Sequence, residues 1–224
     1  SQEEQKVYFA SSAAARQSLA ASNGDSGKMA VLAALTELRQ ICCAPDLRFE
    51  NYEGPSSKLD ACIELCAGMV ENGHQILLFS QFTSMLDRIR GRLDELKISH
   101  FTLQGSTPKA KRAQLVKSFN AGGASVFLIS LKAGGTGLNL TAADVVIHYD
   151  PWWNPAAQDQ ATDRAHRIGQ RASVQVYKLI AKDTIEEKIL VLQSKKAGLM
   201  DAVTDGTGSG ILDMSKEELL ALLD

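Results

Sequence analysis

The chain has no hydrophobic run long enough to cross a membrane. Its 224 residues contain no stretch near the roughly 20 apolar residues that a membrane-spanning helix needs, and the polar start of the sequence lacks a signal-peptide pattern. We therefore expect an intracellular protein without a membrane partner, in the cytoplasm or nucleoid or in the nucleus, depending on the organism. Because the sequence begins with Ser1 rather than Met, we expect an excised fragment or a processed chain.

Cysteine is also scarce, and its spacing is not that of a metal site. The cysteines are Cys42, Cys43, Cys62 and Cys66. Neither pair has CxxC spacing, and no histidine lies at a ligand-like interval from them. Cys62 and Cys66, four residues apart, fit the apolar face of a helix. The sequence therefore predicts reduced cysteines in the protein core and no bound metal.

The sequence lacks the basic excess that nucleic-acid-binding domains usually carry. Lys and Arg number 24 against 26 Asp and Glu, and the pI is about 6.1. This composition counts mildly against DNA binding, although a local track of backbone amides and a few cations remains compatible with it. We expect this chain alone to bind DNA weakly and with a strong dependence on salt.

What the sequence does contain, from residue 56 onward, is an alternation of strands and helices. Strands are predicted at 76–79, 99–103, 126–129, 145–149 and 174–180. Helical patterns between them indicate right-handed βαβ crossovers, and hence a doubly wound, mostly parallel sheet of the α/β class. Ligands on such sheets bind beyond the carboxyl ends of the strands.

Further helices are predicted before, within and after this alternation. Two alanine-rich helices cover about 3–21 and 28–43, around a break at 22–27. Capping boxes are predicted for Ser57 with Asp60, Thr184 with Glu187 and Ser215 with Glu218. The stripes expected to face inward are Met29, Leu32, Leu35 and Cys42 in one helix and Leu86, Ile89, Leu93 and Leu96 in another. A linker at 205–210 precedes a short helix whose leucines are expected to dock on a neighbouring surface: Leu219, Leu220, Leu222 and Leu223.

The most informative stretch is residues 160–170, QATDRAHRIGQ. Asn154-Pro155 predicts a helix start and Gly169 its end, so Gln160, Arg164 and Arg167 fall on one helix face. Two guanidinium groups on one face suit an anion such as a phosphate. The alternative is a solvated face on which Asp159 and Asp163 form ion pairs with the arginines.

This string resembles motif VI of superfamily-two helicases, in the form typical of Swi/Snf-type DNA translocases. The resemblance implies a RecA-like fold and makes Arg164 and Arg167 the catalytic residues, as arginine fingers on the γ-phosphate of ATP. Arginine fingers in other phosphoryl-transfer enzymes raise the rate by about 10³- to 10⁵-fold.

Other segments resemble further motifs of the same family. Ser80-Gln81-Phe82 resembles motif IV, with an ordinary polar turn as the alternative. Residues 104–107 resemble the segment that touches the DNA backbone, and capping by Thr107 is compatible with that role. Residues 130–140 resemble motif V, with Lys132 where many members have Arg. The DNA-binding residues implied are Ser80, Gln81, Gln104, Gly105, Ser106, Thr107, Lys132, Ala133, Gly134 and Thr136.

The resemblance also implies which residues bind the nucleotide and where the two tryptophans lie. Gly135, Gly137, Asn139 and Gln160 are implied to bind ATP together with the two arginines. Trp153 aligns with a tryptophan beside the DNA groove, whereas Trp152 fits a core position. No residues are predicted to hold a metal, because most of the ATP and Mg²⁺ contacts belong to another lobe of this family.

The resemblance covers nearly the whole chain. It predicts a helical extension at 1–55, the second RecA-like lobe at 56–197, and a linker with a short helix at 198–224. No GxxxxGK[ST] loop and no Asp-Glu-x-His box occur, so the first, nucleotide-binding lobe is missing.

The predicted function is the C-terminal lobe of an ATP-dependent double-stranded DNA translocase, inactive as an isolated fragment. Its partners would be DNA, the N-terminal lobe and a DNA-bound protein target. The alternatives are a lobe of a strand-separating helicase and a non-catalytic interaction module for DNA or protein.

Overall fold

The computed structural model describes residues 1–20, 24–134, 138–163, 173–200 and 214–223. The chain divides into two compact units. The sheet unit consists of Leu59–Trp152 and Ala156–Leu179. The helical unit consists of Ser1–Lys58, Trp153–Pro155 and Ile180–Asp224, so the last long helix groups with the N-terminal helices.

Helices and strands alternate through the middle of the chain, with further helices at both ends. The helices are α1 (Gln2–Ala20), α2 (Gly24–Cys43), α3 (Ser57–Glu71), α4 (Thr83–Glu95), α5 (Lys109–Asn120), α6 (Leu131–Gly134), α7 (Pro155–Thr162), α8 (Ile185–Met200) and α9 (Lys216–Leu220). The strands are β1 (Ile76–Ser80), β2 (His100–Leu103), β3 (Val126–Ser130), β4 (Val145–His148) and β5 (Gln175–Lys178). A short 3₁₀ turn covers Pro45–Leu47.

The five strands form one parallel sheet in the order β2-β3-β1-β4-β5. Every residue of β1, β3 and β4 is buried, whereas β5 is largely exposed at the edge. Strands covered on both faces read as continuous apolar runs, which is why the sequence pattern was sufficient to find them. The predicted fold class, a RecA-like α/β sheet with helical extensions, is confirmed.

Helix α3 ends at Glu71, directly before Asn72-Gly73. Gly73 has a positive φ of 81°, which glycine adopts without steric cost. The amides of Gly73 and His74 donate to the carbonyls of Val70 and Met69, each at 3.0 Å. These bonds satisfy carbonyls that the end of a helix otherwise leaves without partners.

Two of the predicted apolar stripes are partly wrong. Met29 is 65% exposed and Leu96 is 51% exposed. In α2 the buried face instead begins at Val31 and continues through Leu35, Leu38 and Cys42. Met29 precedes Val31 by two residues, which places it on the far side of the helix. Leu96 lies beyond the end of α4, where the chain turns at Lys97 with a φ of 56°.

The predicted helix starts were correct in part. The capping box of Ser215 with Glu218 is present. At α8, the Thr184 hydroxyl accepts from the Glu186 amide, but Glu187 accepts from the Asp183 amide rather than from Thr184. Helix α2 begins at Gly24, inside the predicted break.

The capping box predicted for Ser57 with Asp60 is wrong, because both residues use more distant partners. The amide and the hydroxyl of Ser57 donate to the Glu4 carboxylate. Asp60 accepts from Arg92 at 2.8 Å. A carboxylate from α1 therefore takes the capping role that was predicted for the Ser57 side chain.

The core of the helical unit is built from α1, α2, α8 and the leucines near the C-terminus. Leu219, Leu222 and Leu223 are buried in it, and Leu220 lies against it, which confirms the predicted docking of the leucine patch. The carbonyl of Leu223 accepts from Ser12 at 3.3 Å, and that of Leu222 from Lys188 at 3.0 Å.

All four cysteines are free and buried, as predicted. Burial, together with the charge of Glu186, raises the pKa of the Cys42 thiol to about 12. Protonated thiols are poor nucleophiles and poor metal ligands, so Cys42 behaves as a small core residue. None of the helices in the described ranges is long and apolar enough to span a membrane.

Candidate functional site

The carboxyl edge of the sheet brings together the segments singled out by the sequence. The parallel register places Ser80 at the end of β1 beside Ser130 at the end of β3, and Phe79 beside His148 of β4. Leu103, the last residue of β2, pairs with Ile129 of β3. The segments that follow these strands therefore leave the sheet at one edge, where open parallel sheets bind ligands.

Asp150, which the sequence analysis did not select, is the hydrogen-bonding centre of this edge. Its carboxylate is 1% exposed and accepts from the Ser80 hydroxyl at 2.6 Å. It also accepts from the backbone amide and the side-chain amide of Gln81. Asp150 thus ties the segment after β1 to the segment after β4. The only sequence signal was an acidic residue directly after a buried strand.

The contacts of Ser80 define its role. The residue is fully buried, and its hydroxyl donates to Asp150 while accepting from the Phe82 amide at 3.1 Å. Ser80 therefore stabilises the turn after β1 and is not accessible at the surface. Gln81 is partly exposed and lies next to the buried carboxylate.

We predict that Asp150→Ala lowers the free energy of unfolding by about 2–3 kcal/mol, because it leaves the buried hydroxyl of Ser80 and the partly buried amides of Gln81 without their acceptor. Urea unfolding of the chain measures this. The control is Asp87→Ala, since Asp87 is 48% exposed and pairs with Arg90 at 3.2 Å. That change should stay within about 0.5 kcal/mol. Equal losses in the two variants would show that the Asp150 network does not stabilise this edge.

The loop after β2 is held by a residue that the sequence analysis missed, Arg112 of α5. Its guanidinium donates to the carbonyls of Thr107 at 2.8 Å, Gln104 at 3.2 Å and Gly105 at 2.9 Å. Gly105 and Ser106 are exposed. A cation therefore lies directly beneath the loop predicted to touch DNA phosphates. The three carbonyls are neutral, so these bonds do not cancel the positive charge of the guanidinium.

The predicted capping of α5 by Thr107 is wrong. Pro108 occupies the N-cap position without a side-chain cap, and the Thr107 hydroxyl accepts from the Gln104 amide at 3.0 Å. The Thr107 amide in turn donates to the Gln104 carbonyl at 3.0 Å. Thr107 therefore closes the loop on itself and does not cap the helix.

The segment after β3 begins as a single helical turn, α6, rather than the predicted loop. Ala133 is 1% exposed, whereas Asn139 is exposed and its carbonyl accepts from Asn120 at 2.8 Å. For Lys132 and Gly134 only the helical backbone is described. Gly135, Thr136 and Gly137 lie outside the described residues.

The helix after β4, α7, is described over Pro155–Thr162, and the remainder of the predicted helix, from residue 164 onward, lies outside the described residues. Gln160 on this helix is exposed. Arg164 and Arg167 lie outside the described residues, and so do the alternative ion pairs of these arginines with Asp159 and Asp163. The predicted common face of Gln160 and the two arginines stays a prediction.

The two tryptophans have different surroundings. Trp152 lies partly buried against the core of the sheet unit, and its amide donates to Gln158 at 3.2 Å, in agreement with the predicted core role. Trp153 lies partly buried in the helical unit. The guanidinium of Arg39, a residue 2% exposed, lies 5.2 Å from the centre of its ring. This cation–π contact fixes the orientation of Trp153.

Two of the residues predicted to contact ATP, Asn139 and Gln160, are exposed. Within the described ranges, no group of three or more His, Cys, Asp or Glu residues is arranged to hold a metal ion.

Comparison with known proteins defines the class of this lobe. The model of the family described as "Helicase conserved C-terminal domain" matches residues 57–169. This chain belongs to that family.

Individual relatives narrow the class. The "Uncharacterized ATP-dependent helicase" of Mycoplasma pneumoniae is 40% identical over 204 residues, which cover 89% of this chain and 19% of that protein. The "Sulfolobus solfataricus SWI2/SNF2 ATPase C-terminal domain" superimposes with a TM-score of 0.77 at 30% identity, covering 98% of this chain and 92% of that one.

A further structure, "Sulfolobus solfataricus SWI2/SNF2 ATPase core in complex with dsDNA", gives a TM-score of 0.77 at 33% identity, over 97% of this chain and 46% of that one. The chain is a C-terminal helicase lobe of the Swi/Snf type and belongs to a family of ATP-dependent enzymes. It spans between about a tenth and a fifth of the length of the curated relatives that it matches.

Proposed function

We propose that this chain is the lobe of an ATP-dependent double-stranded DNA translocase that completes an ATP site held by another lobe. The observation that carries this proposal is the buried Asp150 network, which joins two of the motif segments at the ligand-binding edge of the sheet. In this proposal residues 56–197 form the second RecA-like lobe, residues 1–55 form a helical extension, and residues 198–224 form a linker with a short helix.

The ATP half of the proposal assigns the chemistry to the segment after α7. Arg164 and Arg167 approach the γ-phosphate, and Gly135, Gly137, Asn139 and Gln160 line the nucleotide. Bound ATP, held with Mg²⁺ mostly by the first lobe, would supply the phosphoryl group, and the arginines would stabilise, together with Mg²⁺, the negative charge that develops on its oxygens. The chain alone therefore hydrolyses no ATP.

The DNA half places a phosphate-binding track on the loops that leave the sheet. Gln81, the loop 104–107 and the backbone at Lys132, Ala133, Gly134 and Thr136 contact one strand, with Ser80 and Arg112 shaping the turns behind them. Trp153 contributes a flat ring beside the DNA groove. Backbone contacts carry no base sequence information, so sequence specificity is low. Similarity to a Swi/Snf ATPase core described in complex with dsDNA supports this half.

Closing of the two lobes on ATP and reopening after hydrolysis would move the track along the duplex. The test uses the two-lobe protein, by which we mean this chain joined to the first lobe that the proposal requires. We expect ATP hydrolysis that double-stranded DNA stimulates, displacement of a triplex-forming strand, and no unwinding of a forked duplex. Unwinding without triplex displacement would favour a strand-separating helicase.

We predict that Trp153→Ala in the two-lobe protein uncouples movement from hydrolysis. Loss of the ring removes an aromatic contact of about 1–3 kcal/mol, so triplex displacement per ATP should fall about tenfold or more, while the ATPase rate changes less than about threefold. Trp153→Phe, which keeps a flat ring, is the matched control and should retain most of the coupling. An equal fall in triplex displacement and in the ATPase rate would contradict a role of Trp153 in coupling.

A further inference from the structure

A histidine that none of the predicted motif roles uses lies buried at the end of β4. His148 is 1% exposed, and its ring stacks on Phe79 with centroids 5.5 Å apart and planes 21° from parallel. Burial, and the charge of Lys178 on the neighbouring strand, lower the pKa of His148 to about 4. The ring is therefore neutral at physiological pH, and one of its nitrogens carries a proton.

The hydrogen bond of this ring reaches the end of α7. His148 Nε2 lies 2.9 Å from Thr162 Oγ1, and the Thr162 hydroxyl also lies 3.3 Å from the Gln158 carbonyl, to which it donates. The proton of the shared bond then comes from Nε2, which leaves Nδ1 as a lone-pair acceptor. Within the described residues Nδ1 has no hydrogen-bond partner, so Nε2–Thr162 is the polar contact that orients the ring.

Thr162 is the last residue of α7, where a helix ordinarily frays because its final carbonyls lack partners. The bond to the buried His148 ring ties this last residue of α7 to β4. Arg164 follows two residues later, within about 7 Å of chain. In the proposed function, a displacement of about 1 Å at a reacting group costs on the order of 100-fold in rate.

We infer that His148 and Thr162 form a positioning pair that sets the segment carrying Arg164 and Arg167, so that these arginines meet the ATP held by the other lobe. This inference rests on the proposed function and adds to it two residues that touch neither ATP nor DNA. The bond joins the end of β4 to the end of α7, and the two arginines follow in sequence.

The test compares threonine variants in the two-lobe protein. Thr162→Val keeps the shape of the side chain but removes the hydroxyl, and we expect it to lower kcat of DNA-stimulated ATP hydrolysis about 10- to 100-fold. The KM for ATP and the Kd for DNA should change less than about threefold, because the binding groups remain. Thr162→Ser restores the hydroxyl and should return kcat to within about threefold of the parent.

A matched control exists in α2. The exposed Thr36 also donates to the carbonyl four residues earlier, at 2.8 Å from Leu32, but no histidine contact is recorded for it among the described residues. Thr36→Val should leave kcat unchanged. The double variant His148→Phe with Thr162→Val should be no slower than the worse single variant, because both remove the same bond.

A second readout does not depend on catalysis. Amide hydrogen exchange in residues 158–163, measured without nucleotide, should accelerate about tenfold in Thr162→Val and return in Thr162→Ser. Unchanged exchange and kcat in Thr162→Val overturn the inference, and so does an equal loss in Thr162→Ser. If Arg164→Ala and Arg167→Ala abolish turnover while Thr162→Val does not, only the inference fails. If the arginine variants keep normal turnover, the proposed function fails as well.

Discussion

Replacing Arg167 by alanine in the two-lobe protein is expected to lower kcat of DNA-stimulated ATP hydrolysis by about 10³- to 10⁵-fold, and Arg164→Ala should have an effect of the same order. This loss corresponds to about 4–7 kcal/mol of barrier. The reason is that each guanidinium stabilises part of the charge that develops on the transferred phosphoryl group. Arg167→Lys keeps the charge but loses the planar fork, so it should recover only part of the rate.

The affinity for DNA distinguishes a role of the two arginines in ATP hydrolysis from a role in DNA binding. Fluorescence anisotropy with a labelled duplex should give Kd values within about threefold of the parent for both alanine variants. The control is Arg90→Ala, because Arg90 is 48% exposed on α4 and pairs with Asp87. It should change neither kcat nor Kd. Loss of DNA binding with normal turnover would move Arg164 and Arg167 to the DNA track.

The second large effect concerns stability. Lys58→Met is expected to lower the free energy of unfolding by about 3–5 kcal/mol, because it leaves a buried carboxylate without its cation. Lys58 Nζ lies 2.7 Å from both carboxylate oxygens of Glu186, whose side chain is completely buried. Glu186 also accepts from the Ala181 amide at 2.7 Å. Urea unfolding measures the loss.

A second substitution tests whether an uncompensated charge is the cause. In Lys58→Met with Glu186→Gln, the side chain is neutral and can still accept from the Ala181 amide, so most of the lost stability should return. The exposed pair of Arg48 with Glu37, at 2.8 Å and with both side chains 48% exposed, is the control. Arg48→Ala should cost less than about 1 kcal/mol. A double variant as unstable as Lys58→Met would contradict the explanation.

The sheet could be predicted from the sequence because its central strands are buried on both faces. Strand β1 and strand β3 are uninterrupted apolar runs between turn residues, and such a pattern depends only on neighbours in sequence. The place of the motif segments at one edge then followed from the parallel order of the strands. Helix ends were less predictable, as Leu96 shows, because a residue just past the last turn no longer continues the helical face.

The partners of polar side chains could not be predicted. Capping rules describe groups within four residues, whereas Ser57 is bonded to Glu4 and Asp60 to Arg92. The Asp150 network likewise joins residues about 70 positions apart. Such contacts depend on how the chain folds back on itself. The candidate site was therefore found from motif resemblance, while the groups that orient it became visible only in three dimensions.

The most direct test of the account mixes the two lobes as separate polypeptides with double-stranded DNA and measures steady ATP hydrolysis. We predict no turnover by either lobe alone, turnover by the mixture, and none when this chain carries both Arg164→Ala and Arg167→Ala. Steady turnover by this chain alone, or full activity of the mixture with both arginines replaced, would contradict the claim that it completes an ATP site held by another lobe.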